Sequence, residues 1–329
     1  VVVVGVWILL QRRAPVATLS WLLSMAVIPV VGLGVYYFLG PRRLKRQRFR
    51  RLRSRRRSRV RASMARLKEK VPEAPERLHQ VVKLVTASTN FPVSTADQVD
   101  LLVGGAATFD SIMDAVRQAE HSIHMEYYIF EPDQTGLALI RLLCEKAQAG
   151  VAVRLLVDAL GYKPLEEAGG EFALFHPTKF GRRVRPVINF RSHRKIVVID
   201  GRMGYTGGVN ITDEEDKRIL PDAYHDVHVR LQGPVVNWLQ TVFLEDWSYA
   251  RDYNRKAEPS DIEALLPDLP DGEQVVQIMA SGPDSNMEAI HRVHVSAIHA
   301  AHKRLWLTTP YFVPTEAAML ALTNAALRG

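Results

Sequence analysis

One cysteine, Cys144, stands in 329 residues. That excludes an intramolecular disulfide framework and a cysteine-based zinc site. Cys144 lies in the apolar-periodic run 137–149, where a buried, inert thiol is expected. Acid is absent from the first 68 residues, Glu69 being the first, although the same stretch holds 17 Lys+Arg. Residues 69–329 are left with 26 Lys+Arg against 35 Asp+Glu, a net of −9. The formal +8 of the whole chain therefore adds two opposite parts, and it does not license a nucleic-acid partner. At 47% hydrophobic and 24% charged, the chain is globular rather than disordered, with length for one large domain or two ordinary ones.

Charge is missing again from residues 16–39, which carry Trp21 near one end and Tyr36, Tyr37 and Phe38 near the other. A run this long can span a bilayer, with its rings at the headgroup levels. Residues 1–10 are wholly apolar but cover only about half a bilayer core as a helix, so they read as the tail of a longer one. Residues 42–61 hold 13 Lys+Arg, against two in the loop between the apolar segments. That asymmetry puts the basic side and the domain that follows in the cytoplasm, and it attracts anionic lipid. The expected order is a membrane anchor at 1–40, then a basic juxtamembrane segment and linker at 41–95, with the linker at 71–95 marked by Pro72, Pro75 and Pro92.

Beyond the linker helical and strand patterns alternate. Residues 109–119 read as a helix, 121–130 as a strand, 136–149 as a helix ended by Gly150, and 151–158 as a buried strand. The strand–helix part recurs at 304–309 and 316–327, and superposing Tyr128 on Tyr311 brings the helix-ending Gly150 and Gly329 nearly into register. This suggests a first domain at 96–258 and the start of a second at 259–329, with the strand equivalent to 151–158 expected past Gly329.

Between the two units lies Arg191-Ser192-His193-Arg194-Lys195 leading into a strand that ends at Asp200-Gly201, then Gly207-Gly208-Val209-Asn210. Side chains alternate along a strand, so His193 and Lys195 face the same way, roughly 6.5–7 Å apart, close enough for one phosphate to touch both. Asp200 has the opposite parity and reads as a buttress. Gly207 and Gly208 permit close backbone approach, and Asn210 offers an uncharged amide donor. An imidazole nucleophile, a cation and aimed donors are the parts needed for phosphodiester exchange without a metal. Neither metal nor cofactor is expected.

The string H-x-K-x4-D-G with G-G-x-N following resembles the HKD motif of the phospholipase D superfamily. Residues 121–130, 150–158, 226–230 with Gly233-Pro234, Asp246-Trp247, 281–284 and 309–314 look like bacterial cardiolipin synthases of that superfamily, as does the layout of apolar helices, basic stretch and catalytic domain. The resemblance implies an α/β fold with a phospholipase D-like mixed sheet flanked by helices, in a pseudo-two-fold repeat whose second lobe is only begun. It also implies a location in the bacterial inner membrane. The implied reaction is attack by one motif histidine on the phosphorus of phosphatidylglycerol, loss of glycerol, and capture of the phosphatidyl-histidine by a second phosphatidylglycerol. Carried onto this chain, His193, Lys195 and Asp200 form the catalytic motif, Lys195 and Asn210 hold phosphate oxygens, and Gly207 and Gly208 support them. Asp226 is expected as the carboxylate that orients the imidazole, with Asp222 as fallback. The family uses two such motifs, and no second H-x-K-x4-D occurs in 1–329, so the segment alone is expected to be inactive, or active only through a dimer like those of single-motif nucleases in the superfamily. The alternative reading is a phospholipase D that passes the phosphatidyl group to water or to another alcohol.

Other features read as structural. His291, His294, His299 and His302 share a helical face but lack a Cys or carboxylate pair to complete a metal site. Glu126, Tyr127 and Tyr128 end a strand beside the motif, and the acidic run 213–216 reads as a solvated loop.

Overall fold

The structure is a computed structural model, and it describes residues 15–27, 29, 64–65, 67, 71–157, 163–175, 193–253, 262–282 and 288–328. The chain divides into two compact units, Val1–Arg53 and Ser54–Gly329. In the first, α1 (Pro15–Val27) buries Met25 against Trp21 and Leu22. Among the described residues no helix is long and apolar enough to cross a membrane. Most of the remaining span expected at 16–39, the apolar tail 1–10 and the basic block 42–61 lie outside the described residues.

The second unit is built on a mixed seven-stranded sheet. Its strands are β2 (Gln98–Val103), β3 (Ser122–Tyr127), β4 (Ala152–Val157), β5 (Glu171–Leu174), β6 (Lys195–Ile199), β7 (Met203–Gly207) and β8 (Val227–Gln232), in the order β2-β8-β7-β6-β3-β4-β5. The β3, β4 and β5 strands run parallel, joined through helices as parallel pairs require, while β3-β6-β7-β8-β2 are antiparallel. A separate pair joins β1 (Ser94–Ala96) to β9 (Gln274–Val276).

Period-two alternation divides the core. Ile196 and Val198 of β6, with Leu156 and Leu231, pack on the long helix α6 (Val235–Tyr253) through Trp238, Leu239, Val242 and Phe243. Val197 and Ile199, with Ile123, Met125, Val153 and Leu155, face α3 (Gly104–Gln118) and α4 (Gln134–Gln148). Strands buried on both faces carry the near-continuous apolar runs read in the sequence. The start of α4 is fixed by Asp133, which accepts from Gly136 N. Its end is fixed by Gly150 at φ +93°.

Two expectations need correction. Residues 71–95 are not a bare linker: they contain α2 (His79–Thr89) and β1, with Phe91 and Val93 buried. The prolines there bracket a helix instead of preventing one. Residues 304–309 form no strand, and Trp306 and Leu307 are exposed. The helices on either side, α7 (Ala289–Ala300) and α8 (Glu316–Leu327), do form. A short helix, α5 (Lys163–Glu167), completes the second unit.

Candidate active site

Lys195 opens β6 opposite Tyr127 of β3, and Gly207 closes β7 opposite His228 of β8. One end of the sheet therefore gathers the ends of four strands. The His193 ring stacks on the Tyr128 ring, with centroids 3.9 Å apart. Lys195 Nζ donates to the His193 carbonyl at 3.3 Å and lies 5.9 Å from the Tyr128 centroid. Arg194, between them, turns to the other face, where its guanidinium pairs with the fully buried Asp246 of α6 and donates to the Ser281 carbonyl. The alternation that aims His193 and Lys195 thus also anchors their strand to α6.

Close approach is made at Gly208 by a side chain and at Gly207 first by the main chain of β8. A Cβ on Gly208 would overlap the Asp226 carboxylate, and one on Gly207 would lie 2.7 Å from His228 Nδ1. Asp226 Oδ1 accepts from Val227 N at 2.7 Å, and its main-chain carbonyl accepts from Gly104 N at 2.8 Å, which ties the start of α3 to the site. His228 is fully buried, neither ring nitrogen has a hydrogen-bond partner among the described residues, and burial with the nearby Lys195 charge holds its pKa down at about 3. It is therefore a neutral imidazole at any physiological pH.

Asn210 donates through both its main-chain N and its Nδ2 to Glu215 Oε1, at 3.1 and 3.2 Å. Glu215 is 4% exposed. Burial raises its pKa, while Asn210 and Lys195 favour the charged form. Lys195 shows the mirror image: burial lowers its pKa, and Glu215, then Asp226, push it back up. The run 213–216 is thus not a solvated loop. Asp213 caps α4 by accepting from Thr135 N and Oγ1, and Asp216, 2% exposed, holds Arg218.

Asp200 does not join this group. Antiparallel pairing puts it at the other end of β6, where its carboxylate accepts from the N–H groups of Glu120, His121 and Ser122 at 2.7–2.9 Å. Its motif partners lie about 16 Å away at some 3.3 Å per strand residue. The fallback Asp222 is in the turn before β8. Sequence reasoning missed Glu215 and His228. Strand parity held a signal for His228, which shares a face with Asp226, but nothing in an acidic run marks which carboxylate becomes buried. Of the histidines at 291–302, His291 bonds Thr315 Oγ1 at 2.7 Å, and no group of three metal-ligating side chains forms among the described residues.

A mixed sheet flanked by helices, with H-x-K entering an inner strand and Gly-Gly-x-Asn on its neighbour, defines a phospholipase D-like domain. The family model for the PLD-like domain of cardiolipin synthase matches residues 112–247, and one for the phospholipase D-nuclease N-terminal region matches 1–41. The cardiolipin synthase of Geobacillus kaustophilus is 36% identical over 100% of this chain and 67% of its own length. Cardiolipin synthase 1 of Bacillus anthracis is 33% identical over 98% and 66%. Phosphatidylserine synthase of Haemophilus influenzae, a solved structure, aligns over 77% of this chain and 64% of its own at 14% identity, with a TM-score of 0.48. The chain belongs to the cardiolipin synthase family, phosphatidyltransferases of the phospholipase D superfamily, and spans about two thirds of the length of those relatives.

Proposed function

We propose that this chain supplies a phosphate-handling site for transfer of a phosphatidyl group between two phosphatidylglycerol molecules, giving cardiolipin and glycerol. The observation that carries the reading is the placement of His193 and Lys195 beside the Tyr128 ring at the start of β6, with Asn210 and Asp226 near the same sheet end. In the first step an imidazole nitrogen bonds phosphorus, the P–O bond to glycerol breaks, and a second imidazole gives the leaving oxygen its proton. In the second step that imidazole takes the proton from a hydroxyl of the next phosphatidylglycerol, whose oxygen displaces the histidine. His193 takes one of these two imidazole roles. Lys195 and Asn210 neutralise and hold the phosphate oxygens, and Asp226 is the carboxylate that tunes the cationic site and orients an imidazole. Asp200 acts through the scaffold and does not touch substrate.

The match of residues 1–41 to an N-terminal family region and the uncharged run 16–39 support a multi-pass anchor in the bacterial inner membrane, with the catalytic unit on the cytoplasmic side. The basic block 42–61 would hold that unit against anionic lipid. The test is cardiolipin formation from phosphatidylglycerol vesicles by the membrane-embedded full-length protein, this segment together with the part that supplies the second motif. His193→Ala should lower the rate at least about 1,000-fold, as removal of a nucleophile or its general acid does, and Lys195→Ala about 100-fold or more. Retained activity in His193→Ala would refute the assignment.

A further inference from the structure

We propose that Glu215 is a positioning residue of this phosphate site: its buried carboxylate aims the Asn210 amide and serves as the resting counter-charge of Lys195. The proposal rests on the reading of Lys195 and Asn210 as phosphate-binding groups. A single oxygen, Oε1, accepts from two donors of the same residue, Asn210 N and Nδ2. That pins both the backbone and the amide plane of Asn210, whose Nδ2 keeps a second hydrogen for a ligand. Glu215 Oε2 has no hydrogen-bond partner among the described residues. The two Asn210 donors do most to favour the charge of this buried carboxylate, and the nearby Lys195 cation adds to them. The placement is built in from behind as well, because a Cβ on Gly105 at the start of α3 would collide with the Glu215 main chain.

The groups around Lys195 come from several elements. Glu215 comes from the helical turn Asp213–Glu215, Asp226 from the loop before β8, neutral His228 from β8, and the Tyr128 ring and His193 carbonyl from the strand ends. Of these, Glu215 and Asp226 are the carboxylates, and Glu215 has the larger effect on Lys195. An arriving phosphate would then exchange one anion for another beside a lysine that is already charged. Lys195 would be kept protonated against a burial that disfavours its charge.

Glu215→Gln keeps an oxygen acceptor for Asn210 but removes the negative charge, so Lys195 should release its proton at lower pH. The experiment uses the whole chain in detergent with 13C-labelled lysine, the Lys195 ε-carbon signal being assigned by its loss in Lys195→Arg. In Glu215→Gln the titration midpoint should fall by about one pH unit, a tenfold change in protonation equilibrium. Inorganic phosphate should bind about tenfold more weakly on the alkaline side and nearly normally at pH 6. Glu215→Ala should lose affinity at pH 6 as well, because Asn210 is then no longer aimed. An unmoved Lys195 midpoint in Glu215→Gln, or phosphate affinity equal to the parent's in Glu215→Ala at pH 6, would overturn the proposal. A parent chain that binds no phosphate, with the midpoint still moving, would refute the phosphate site and uphold the Glu215–Lys195 coupling. None of these readouts needs turnover, so they stand apart from the test of transfer.

Discussion

Gly208 has no room for a methyl group, because the Asp226 carboxylate fills the space. Asp226 can therefore be tested twice. Asp226→Asn keeps the shape and removes the charge, and by analogy with other orienting carboxylates it should lower the rate of cardiolipin formation roughly 10²- to 10⁴-fold. Gly208→Ala leaves the carboxylate intact but displaces it, and should also lower the rate, by less than Asp226→Asn and with the melting temperature little changed. Turnover by both variants equal to the parent's would remove Asp226 from the site. At this scale the sequence was partly legible. The parity of His193 and Lys195 is read from strand alternation alone; in the structure the His193 ring stacks on Tyr128, and Lys195 Nζ lies 5.9 Å from the centroid of that same ring. The burial of Glu215 was not legible, because it depends on α3 packing at Gly105, more than 100 positions earlier in the chain.

The element that presents the motif is the β6–β7 hairpin. Its three-residue connection carries Asp200 at φ +52° and Gly201 at φ +65°, closed by Arg202 N donating to the Ile199 carbonyl, and Asp-Gly tolerates these left-handed positions. The Asp200 carboxylate gathers three main-chain donors at the α3–β3 connection and so clamps β6 to its neighbour. Asp200→Ala loses those acceptors and puts alanine at a left-handed position. We expect a loss of about 2–3 kcal/mol of stability by denaturant titration, with turnover per folded molecule within threefold of the parent. A normal melting curve with abolished turnover would instead make Asp200 a participant in the chemistry. Element boundaries near the motif were legible because apolar runs, Asp-Gly and Gly150 punctuate them. Residues 304–309 have strand composition but form no ladder in the structure, since a strand's main-chain groups need a neighbouring strand that composition cannot supply. α2 was hidden by the opposite error, prolines read as a linker although they fall outside the helix itself.

Across the whole molecule, the cationic first 68 residues and the body with net −9 make sense together if the substrate is an anionic lipid. An acidic body alone would be repelled by such a surface, and the basic collar offsets that repulsion. Family membership was legible from the motif and its flanking strings. The arrangement around it, with Glu215, Asp226 and His228 beside Lys195, required the fold, because these residues come together only when β6, β7 and β8 pair. The central claim is that this site transfers a phosphatidyl group to a lipid hydroxyl and not to water. The most direct measurement is incubation of the membrane-embedded full-length protein, this segment together with the part that supplies the second motif, with phosphatidylglycerol as the only lipid in 18O-enriched water. The account predicts cardiolipin and glycerol in equal amounts, with no 18O in the phosphate. Phosphatidic acid carrying 18O, or phosphatidylglycerol left unchanged, would contradict it.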